Sequence, residues 1–449
     1  MVTSLCHDTP LENKSTTTAT ASASPPQKSG HCVPPAPVQR INHQPTPRCS
    51  STQCPRAPSS VHALARKGFD KEEMRGKLPA SMHNSNSPIR WLSRVGVGVA
   101  AILISITTWA NPPAAALDTT HAKVRKVMEV QHKVTRDLMS LEDILGTAVS
   151  VDGAGEPALV VFVYEQGKNA AEIVNAMPSE LLGVAARVEL TDKFRAFRGK
   201  PDRGGGVSHT AKQTPPIQLG TSGGWRKDLA NGYCCGGTLG SLIKIGNEQY
   251  ILSNYHVFES DIVSGGNGTV AATGDYVIQP GLIDVNCSAA NAQNVATLVK
   301  KSSLPNHNVD CSVAKVIAGM VNPNGSILEI GVLSSQTVAA AINQAVKKSG
   351  RTTGLTRSKI SGLNATIRVT YDNECAGGTA FTKTFTGQIV VSNQGSKFLN
   401  AGDSGSLMVE DVATNPRAVG LLYAGSSTTA IANPIDDVLT FLGATMVGN

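Results

Sequence analysis

The C-terminal half of the sequence, residues 217–449, is predicted to be mainly β. Short apolar or β-branched runs recur there with turn signals between them, at 238–245, 249–253, 276–279, 295–299, 312–316, 365–369, 388–391, 407–409 and 418–423. Aromatic residues make up only 4% of the chain, whereas small and β-branched residues are plentiful. Regularly spaced short strands predict a barrel or a sandwich. Pro434, Asp436 and Asp437 predict the start of a closing helix.

Size and composition limit what the whole chain can be. Its 449 residues are enough for two or three domains, and a hydrophobic fraction of 41% is typical of a globular protein. The net charge of +7 is modest, and much of the excess lies outside residues 217–449, so no nucleic-acid partner is expected. The sequence contains no internal repeat, metal-ligand spacing or phosphate-binding loop, so no metal or cofactor is expected.

Residues 1–81 are predicted to be a disordered tail. Residues 16–24 are rich in Ser, Thr and Ala, and prolines then recur over 25–58 without apolar periodicity. Four cysteines are scattered through the tail without the spacing of a metal site, at Cys6, Cys32, Cys49 and Cys54.

Residues 82–116 have the layout of a secretory signal peptide. Arg90 and Arg94 precede an apolar run at 95–106, and small residues follow. The run is shorter than the ~20 residues of a spanning helix. Its internal position is explained if translation starts at Met82 or Met74, so that the tail is a mis-assigned start.

Two other interpretations of 82–116 stay open. One is a membrane anchor through residues 95–110 with its basic side in the cytoplasm, and the other is a buried core helix. The signal and the anchor both export the rest of the chain. The protein is therefore expected to be secreted, periplasmic or membrane-anchored, with its C-terminal half outside the cytoplasm.

Residues 117–200 are predicted to form a small α/β domain. Apolar residues on one helix face recur at steps of three and four, at Val127, Val130, Val134, Leu138 and Leu141. Runs at 147–151 and 158–164 predict a hairpin, followed by a helix near 168–176 and a strand at 184–190. Both a pro-segment and a permanent accessory domain are consistent with this position.

A linker is predicted at 201–216, within a stretch where Gly and Pro break regular structure. That stretch runs from Gly199 to Gly224 and contains three glycines at 204–206, two prolines at 215–216 and two glycines at 223–224. The mainly β domain is expected to begin at residue 217.

The turn Gly402-Asp403-Ser404-Gly405 is a candidate nucleophile loop. A serine hydroxyl reacts only when a base takes its proton and donors stabilise the oxyanion. Flanking glycines permit backbone conformations closed to other residues, so successive N–H groups can point at one site.

His256 and Asp310 are the candidate partners of Ser404. His256 directly follows the apolar run at 249–253, and imidazoles exchange protons near neutral pH. Asp310 precedes the run at 312–316 and suits the role of orienting an imidazole. Asp284 is a rival for that role, and His307 is a weaker candidate base.

The chain order His256, Asp310, Ser404 resembles that of the chymotrypsin-like peptidases. Cys-Gly-Gly-Thr-Leu at 235–239, the segment around His256 and Gly-Asp-Ser-Gly are similar to the corresponding motifs of trypsin-like enzymes. Residues 217–449 are also similar to secreted, little-characterised bacterial trypsin-like proteins and to plant narrow-leaf type proteases. The resemblance implies a chymotrypsin-like double β-barrel. Together with the elements predicted from the residues, the expected fold is mainly β: this double barrel with a C-terminal helix, preceded by the small α/β domain and the disordered N-terminal region.

The resemblance also implies roles for named residues. Ser404 is the nucleophile, His256 the base and then the acid, and Asp310 the orienting carboxylate. The N–H groups of Gly402 and Ser404 form the oxyanion hole. Substrate backbone pairs with the later strand, at Tyr423, Ala424 and Gly425. The expected activity is that of a serine endopeptidase acting on protein or peptide substrates. The alternative is a catalytically weak or inactive member of this fold that serves as a surface binding module.

Some residues depart from the family pattern. Val257 follows the histidine where a bridged cysteine often stands, so that disulfide is absent. The five cysteines of the C-terminal half are odd in number and their pairing is left open: Cys234, Cys235, Cys287, Cys311 and Cys375. Ile217 is a candidate for the freed N-terminus that pairs with Asp403 in trypsins, but no cleavage signal precedes it. Phe398 falls near the specificity position of trypsins by simple counting.

Overall fold

The computed structural model describes residues 117–196, 207–230, 233–259, 271–371, 381–393 and 397–449. These residues lie in one compact unit that spans Asp70–Asn449. The predicted tail 1–81, the predicted export segment 82–116 and residues 201–206 of the predicted linker lie outside the described residues. None of the described helices is both long and apolar enough to cross a membrane.

The first part of the described chain is the predicted α/β unit. Its elements are α1 Ala122–Leu138, β1 Ile144–Val151, β2 Pro157–Tyr164, α2 Ala170–Ala176, β3 Glu180–Leu181, β4 Val184–Thr191 and β5 Phe194–Ala196. The apolar face of α1 buries Val124, Val127 and Val130, in a core shared with β1 and β2. The helix, hairpin and strand predicted from the periodicity of 117–200 are therefore confirmed.

The next part of the chain is built around one barrel. Its elements are β6 Thr221–Trp225, β7 Leu229–Ala230, β8 Tyr233–Cys234, β9 Gly237–Leu239, β10 Ser241–Ile245, β11 Glu248–Ser253, α3 Tyr255–Phe258, β12 Tyr276–Gln279, β13 Gln293–Val299 and β14 Ser312–Val316. The pairing order is β10-β11-β14-β13-β12-β6-β9. β9 continues into β10 through Gly240, which closes the ring.

The expectation that Gly223 and Gly224 break regular structure is wrong, because both lie in β6. A Cβ atom placed on Gly223 would lie 2.3 Å from a methyl carbon of Leu239 on the paired strand β9. The glycines therefore allow close strand packing here and do not end the strand.

The second barrel follows. Its elements are β15 Ala345–Gly350, β16 Gly354–Tyr371, β17 Phe381–Ser392, β18 Leu407–Glu410, β19 Ala418–Gly425 and β20 Thr429–Pro434. The pairing order β15-β18-β19-β20-β17-β16 is closed by pairing of β15 with β16. The chain ends with the predicted helix, α4 Ile435–Leu442, and with β21 Thr445–Met446, which pairs with β10 of the first barrel.

The sheet of the α/β unit is continuous with the second barrel. β1 pairs antiparallel with β16, with Gly146 opposite Ile367. Gln131 of α1 donates a hydrogen bond to the Asn364 carbonyl at 2.8 Å, and Arg368 donates one to the Ile144 carbonyl at 3.0 Å. Residues 117–196 thus share a backbone ladder and polar contacts with the barrel.

The cysteine pairing that the sequence leaves open is partly defined. Cys234 is bonded to Cys287 across a sequence separation of 53 residues. Cys311 is a buried free thiol, and burial raises its pKa well above the ordinary value.

Candidate active site

His256 and Asp310 are brought together by the pairing of two strands. β11 ends at Ser253 and β14 begins at Ser312, and these two residues are directly paired. The one-turn helix α3 follows β11 and places the buried imidazole of His256 with Nδ1 2.7 Å from Oδ2 of Asp310. Nε2 of His256 is buried and makes no hydrogen bond within the described residues.

The Asp310 carboxylate is fixed by further donors. The backbone N–H of Tyr255 donates to Oδ1 at 2.8 Å, and the hydroxyl of Tyr371 donates to Oδ2 at 2.9 Å. Burial, together with the charge of Asp310, raises the pKa of the Tyr371 hydroxyl well above its usual range, so this hydroxyl stays protonated as a donor. The backbone of Asp310 is held by the side chains of Asn254 and Asn433.

The two rival residues lie elsewhere in the structure. Both carboxylate oxygens of Asp284 accept hydrogen bonds from buried Arg351, at 2.7 and 2.5 Å, and Ser222 donates to one of them. The ring of His307 packs against Phe441, with centroids 4.7 Å apart. Asp284 is therefore the partner of a guanidinium, and His307 is in contact with the C-terminal helix.

The loop that carries Ser404 docks on the first barrel. Thr238 of β9 donates from its backbone N–H to the Ser404 carbonyl and from its hydroxyl to the Gly402 carbonyl, both at 2.9 Å. The Ser404 hydroxyl is buried and lies 3.4 Å from the carbonyl oxygen of Tyr423 in β19. Ser404 thus stands where β9 and β19, one from each barrel, meet.

The Ser404 loop and the His256 segment are in close contact. A Cβ atom placed on Gly237 would lie 3.0 Å from the carbonyl oxygen of Ser404 and 2.7 Å from a methyl carbon of Val257. A Cβ atom on Gly405 would lie 2.2 Å from the hydroxyl oxygen of Ser253. Only glycine at these positions allows the two segments to approach this closely.

Gly402 and Gly405 have φ values of +95° and +91°. Side-chain-bearing residues rarely adopt this conformation, so both glycines are needed for the shape of the loop. The backbone therefore turns sharply on both sides of Ser404.

The buried carboxylate of Asp403 is paired with a buried lysine, Lys348. Its Oδ2 lies 3.3 Å from Nζ of Lys348 in β15, and both side chains are 0% exposed. Its Oδ1 accepts the backbone N–H groups of Thr352 and Thr353 at 2.9 and 3.1 Å. Desolvation lowers the pKa of Lys348, and the adjacent Asp403 opposes this change. The counter-ion of Asp403 is therefore an internal lysine.

Ile217 is not at Asp403 in this chain. Its backbone N–H donates to the Met320 carbonyl at 2.9 Å, and its side chain is buried in the first barrel. Phe398 is also fully buried and packs in the core beneath β16 and β19.

The three expected substrate-pairing residues lie at the end of β19. Tyr423, Ala424 and Gly425 are buried, and Gly425 is paired on one side with Ala430 of β20. On its other side Gly425 is paired antiparallel with Arg195 of β5. The phenol oxygen of Tyr423 is buried and makes no hydrogen bond within the described residues.

Sequence reasoning missed Tyr371 and Lys348. Tyr371 ends a strand whose predicted core was only 365–369, and Lys348 lies in Ala-Val-Lys-Lys-Ser-Gly, which lacks apolar alternation. The described residues hold no cluster of three or more His, Cys, Asp or Glu side chains suited to a metal ion.

The two closed barrels with a C-terminal helix form a chymotrypsin-like double β-barrel. A family model, the Nal1 C-terminal domain, matches residues 292–432. No curated protein sequence matches the chain.

Several solved structures are similar at low sequence identity. A glutamic acid specific serine protease is 16% identical, with 51% of this chain and 100% of that chain covered and a TM-score of 0.34. Protease A of Thermobifida fusca is 19% identical, with 52% and 99% covered and a TM-score of 0.35. A chymotrypsin of Cellulomonas bogoriensis is 21% identical, with 47% and 91% covered and a TM-score of 0.30. The fold itself is defined by the strand pairing described above.

Proposed function

We propose that the protein is an exported serine endopeptidase that cleaves peptide bonds through an acyl-enzyme. The observation that supports this most is the 2.7 Å contact between Nδ1 of His256 and Oδ2 of Asp310, beside the docked loop of Ser404. A buried carboxylate on one imidazole nitrogen fixes the tautomer in which Nε2 can accept a proton. Export rests on the sequence of residues 82–116 alone.

In this mechanism the Ser404 hydroxyl oxygen attacks the carbonyl carbon of the substrate while its proton passes to Nε2 of His256. Asp310 stabilises the resulting imidazolium. The N–H groups of Gly402 and Ser404 stabilise the oxyanion of the tetrahedral intermediate. The intermediate collapses as the imidazolium gives its proton to the leaving amine. Water then attacks the acyl-enzyme with His256 again as base, which releases the acid and restores Ser404.

A fluorophosphonate probe tests this proposal without any knowledge of the substrate. The probe reacts only with an activated serine hydroxyl, so wild-type protein is expected to be labelled and Ser404→Ala is not. Ser335 is exposed in the segment between β14 and β15, so Ser335→Ala is a matched control that retains labelling.

Two results would overturn the peptidase proposal. One is labelling that survives in Ser404→Ala. The other is a folded wild-type protein that takes no label at all, which is the result expected of the alternative, a surface binding module.

A further inference from the structure

The short strand β5 is bound on both of its edges. Phe194–Ala196 pairs parallel with residues 369–371 of β16. On the opposite edge, Arg195 pairs antiparallel with Gly425 of β19. The strand therefore fills a slot between two strands of the second barrel, and we call this slot the β16–β19 slot, lined by residues 369–371 and Gly425.

The direction of β5 is that of a substrate. β19 runs from Tyr423 to Gly425, so an antiparallel strand opposite Gly425 runs back towards Tyr423. The carbonyl oxygen of Tyr423 lies 3.4 Å from the Ser404 hydroxyl oxygen. The chain that continues from Arg195 through Ala196 thus heads towards the proposed nucleophile. The acyl portion of a cleaved peptide has the same polarity, because its reactive carbonyl lies at its C-terminal end.

Side-chain contacts hold β5 in the slot. Phe194 is 0% exposed, and its ring packs edge-on against Phe162 with centroids 5.4 Å apart. Asp192, two residues before Phe194, anchors the chain to the turn between β19 and β20. Its carboxylate accepts hydrogen bonds from the backbone N–H and the hydroxyl of Ser427 at 2.7 and 2.6 Å.

We propose that Phe194–Ala196 is a resident occupant of the β16–β19 slot, which the acyl-side residues of an extended peptide substrate displace. This rests on the proposed peptidase function. A peptide in the slot adds a strand to two edges at once, so its backbone is hydrogen-bonded on both sides. Pro has no N–H to donate, so it is disfavoured opposite Gly425. Because Phe194 is buried, we expect a large apolar residue in the substrate immediately before the residue that lies opposite Gly425.

Occupation of the slot by β5 of the same chain has a measurable effect on substrate affinity. A substrate binds only the fraction of molecules in which β5 has left, so its apparent affinity is reduced by that fraction. A small fluorophosphonate needs Ser404 and His256 but not the slot. Peptide KM and probe labelling therefore report separately on the slot and on the proposed nucleophile.

The first test is Phe194→Ala in the full chain, assayed with a panel of extended fluorogenic peptides. Removing the buried ring destabilises the state in which β5 occupies the slot. KM is therefore expected to fall roughly tenfold for each ~1.4 kcal/mol by which that state is destabilised. The kcat value and the rate of probe labelling are expected to stay unchanged. Ile173→Ala is the matched control, because it removes buried apolar volume from α2 of the same unit without touching β5.

The second test locks the slot. Arg195 and Thr370 are paired residues of adjacent strands, whose backbones lie about 4.8 Å apart, within the range that a disulfide spans. The double variant Arg195→Cys with Thr370→Cys is expected to lose at least tenfold in peptide turnover when oxidised, with probe labelling retained. Mild reduction is expected to restore turnover, and wild-type protein under the same treatment is the reference.

The outcomes separate the two proposals. No probe labelling of wild-type protein overturns the peptidase function. Labelling with unchanged peptide kinetics in the oxidised lock overturns the slot. If Phe194→Ala fails to fold, the locked variant decides alone, because it adds a crosslink between two residues whose side chains are not fully buried.

Discussion

The hydroxyl of Tyr371 donates a hydrogen bond to Oδ2 of Asp310 at 2.9 Å, and this same oxygen lies 2.7 Å from Nδ1 of His256. Tyr371 comes from the end of β16, in the second barrel, whereas Asp310 and His256 belong to the first. The ring of Tyr371 stacks on Phe381 with centroids 5.0 Å apart, which holds the hydroxyl in place. One barrel therefore orients the carboxylate of the other.

Tyr371→Phe keeps the stacked ring and removes only the donor. We expect kcat to fall about tenfold with little change in KM, because a lost hydrogen bond to a charged group is worth about 1.5–3 kcal/mol and part of this is orientation of the carboxylate. Probe labelling of Ser404 is expected to slow in the same ratio. Tyr276→Phe, at a half-exposed position, is the control. Equal loss of thermal stability and activity in both variants would contradict the prediction.

Asp310→Asn is expected to lower kcat by about 10⁴, because an amide favours the wrong tautomer of the imidazole. Asp284→Asn provides the comparison between the two rival carboxylates. It removes the negative charge of Asp284 that pairs with buried Arg351, so the free energy of unfolding is expected to fall by about 3 kcal/mol while kcat below the melting temperature is retained. Denaturant unfolding and turnover measured on both variants check the prediction, and the reverse pattern would contradict it.

Lys348→Met leaves the carboxylate of Asp403 buried without a cation. Removing one partner of a buried ion pair costs about 3–5 kcal/mol, so a comparable loss in the free energy of unfolding is expected. Probe labelling is expected to slow, since the Ser404 loop loses a fixed neighbour. In the double variant with Asp403→Asn the charge left unpaired is removed, so part of the stability should return. Strictly additive losses in this double-mutant cycle would show that the two residues are not coupled.

Glu259 makes stability depend on pH. Burial raises the pKa of its carboxyl above the ordinary value of 4.5, and hydrogen bonds from Ser312 and Lys301 oppose this change. Between 4.5 and the raised value the folded state holds more protons than the unfolded state. The free energy of unfolding therefore falls as pH rises through this window, by at most about 1.4 kcal/mol per pH unit.

Glu259→Gln has no proton to lose. Its free energy of unfolding, relative to wild type, is expected to rise with pH from 4.5 upwards and then to level off. Glu248→Gln, which removes a carboxylate at an exposed position, is the control. Thermal unfolding at intervals between pH 4 and pH 8 measures both differences, and a flat curve for Glu259→Gln would contradict the prediction.

Most strands could be predicted from the sequence because one face of each is apolar and glycine, proline or polar turns separate them. The run at 312–316 and the run at 276–279 coincide with β14 and β12. β15 could not be found in this way, because Lys347 and Lys348 occupy successive positions of a buried strand. Their burial depends on Val412 and Asp403, which are distant in sequence.

The candidate site could be predicted only in part. Ser404 and His256 stand in local motifs that sequence shows directly. Tyr371 reaches Asp310 across 61 residues, and no local pattern encodes that contact. The roles of Ser404, His256 and Asp310, with Gly402 and the β19 residues, stay predictions that the probe and kinetic experiments address.

The ladder between β1 and β16 determines what a cut in the chain can release. Seventeen helical residues of α1 and the strands beside it stay attached to the second barrel through backbone hydrogen bonds, whether or not the chain after Ala196 is intact. A nicked molecule would persist as two fragments that copurify. Removal of the smaller fragment would expose the edge of β16 that pairs with β1, so the larger fragment would be prone to self-association.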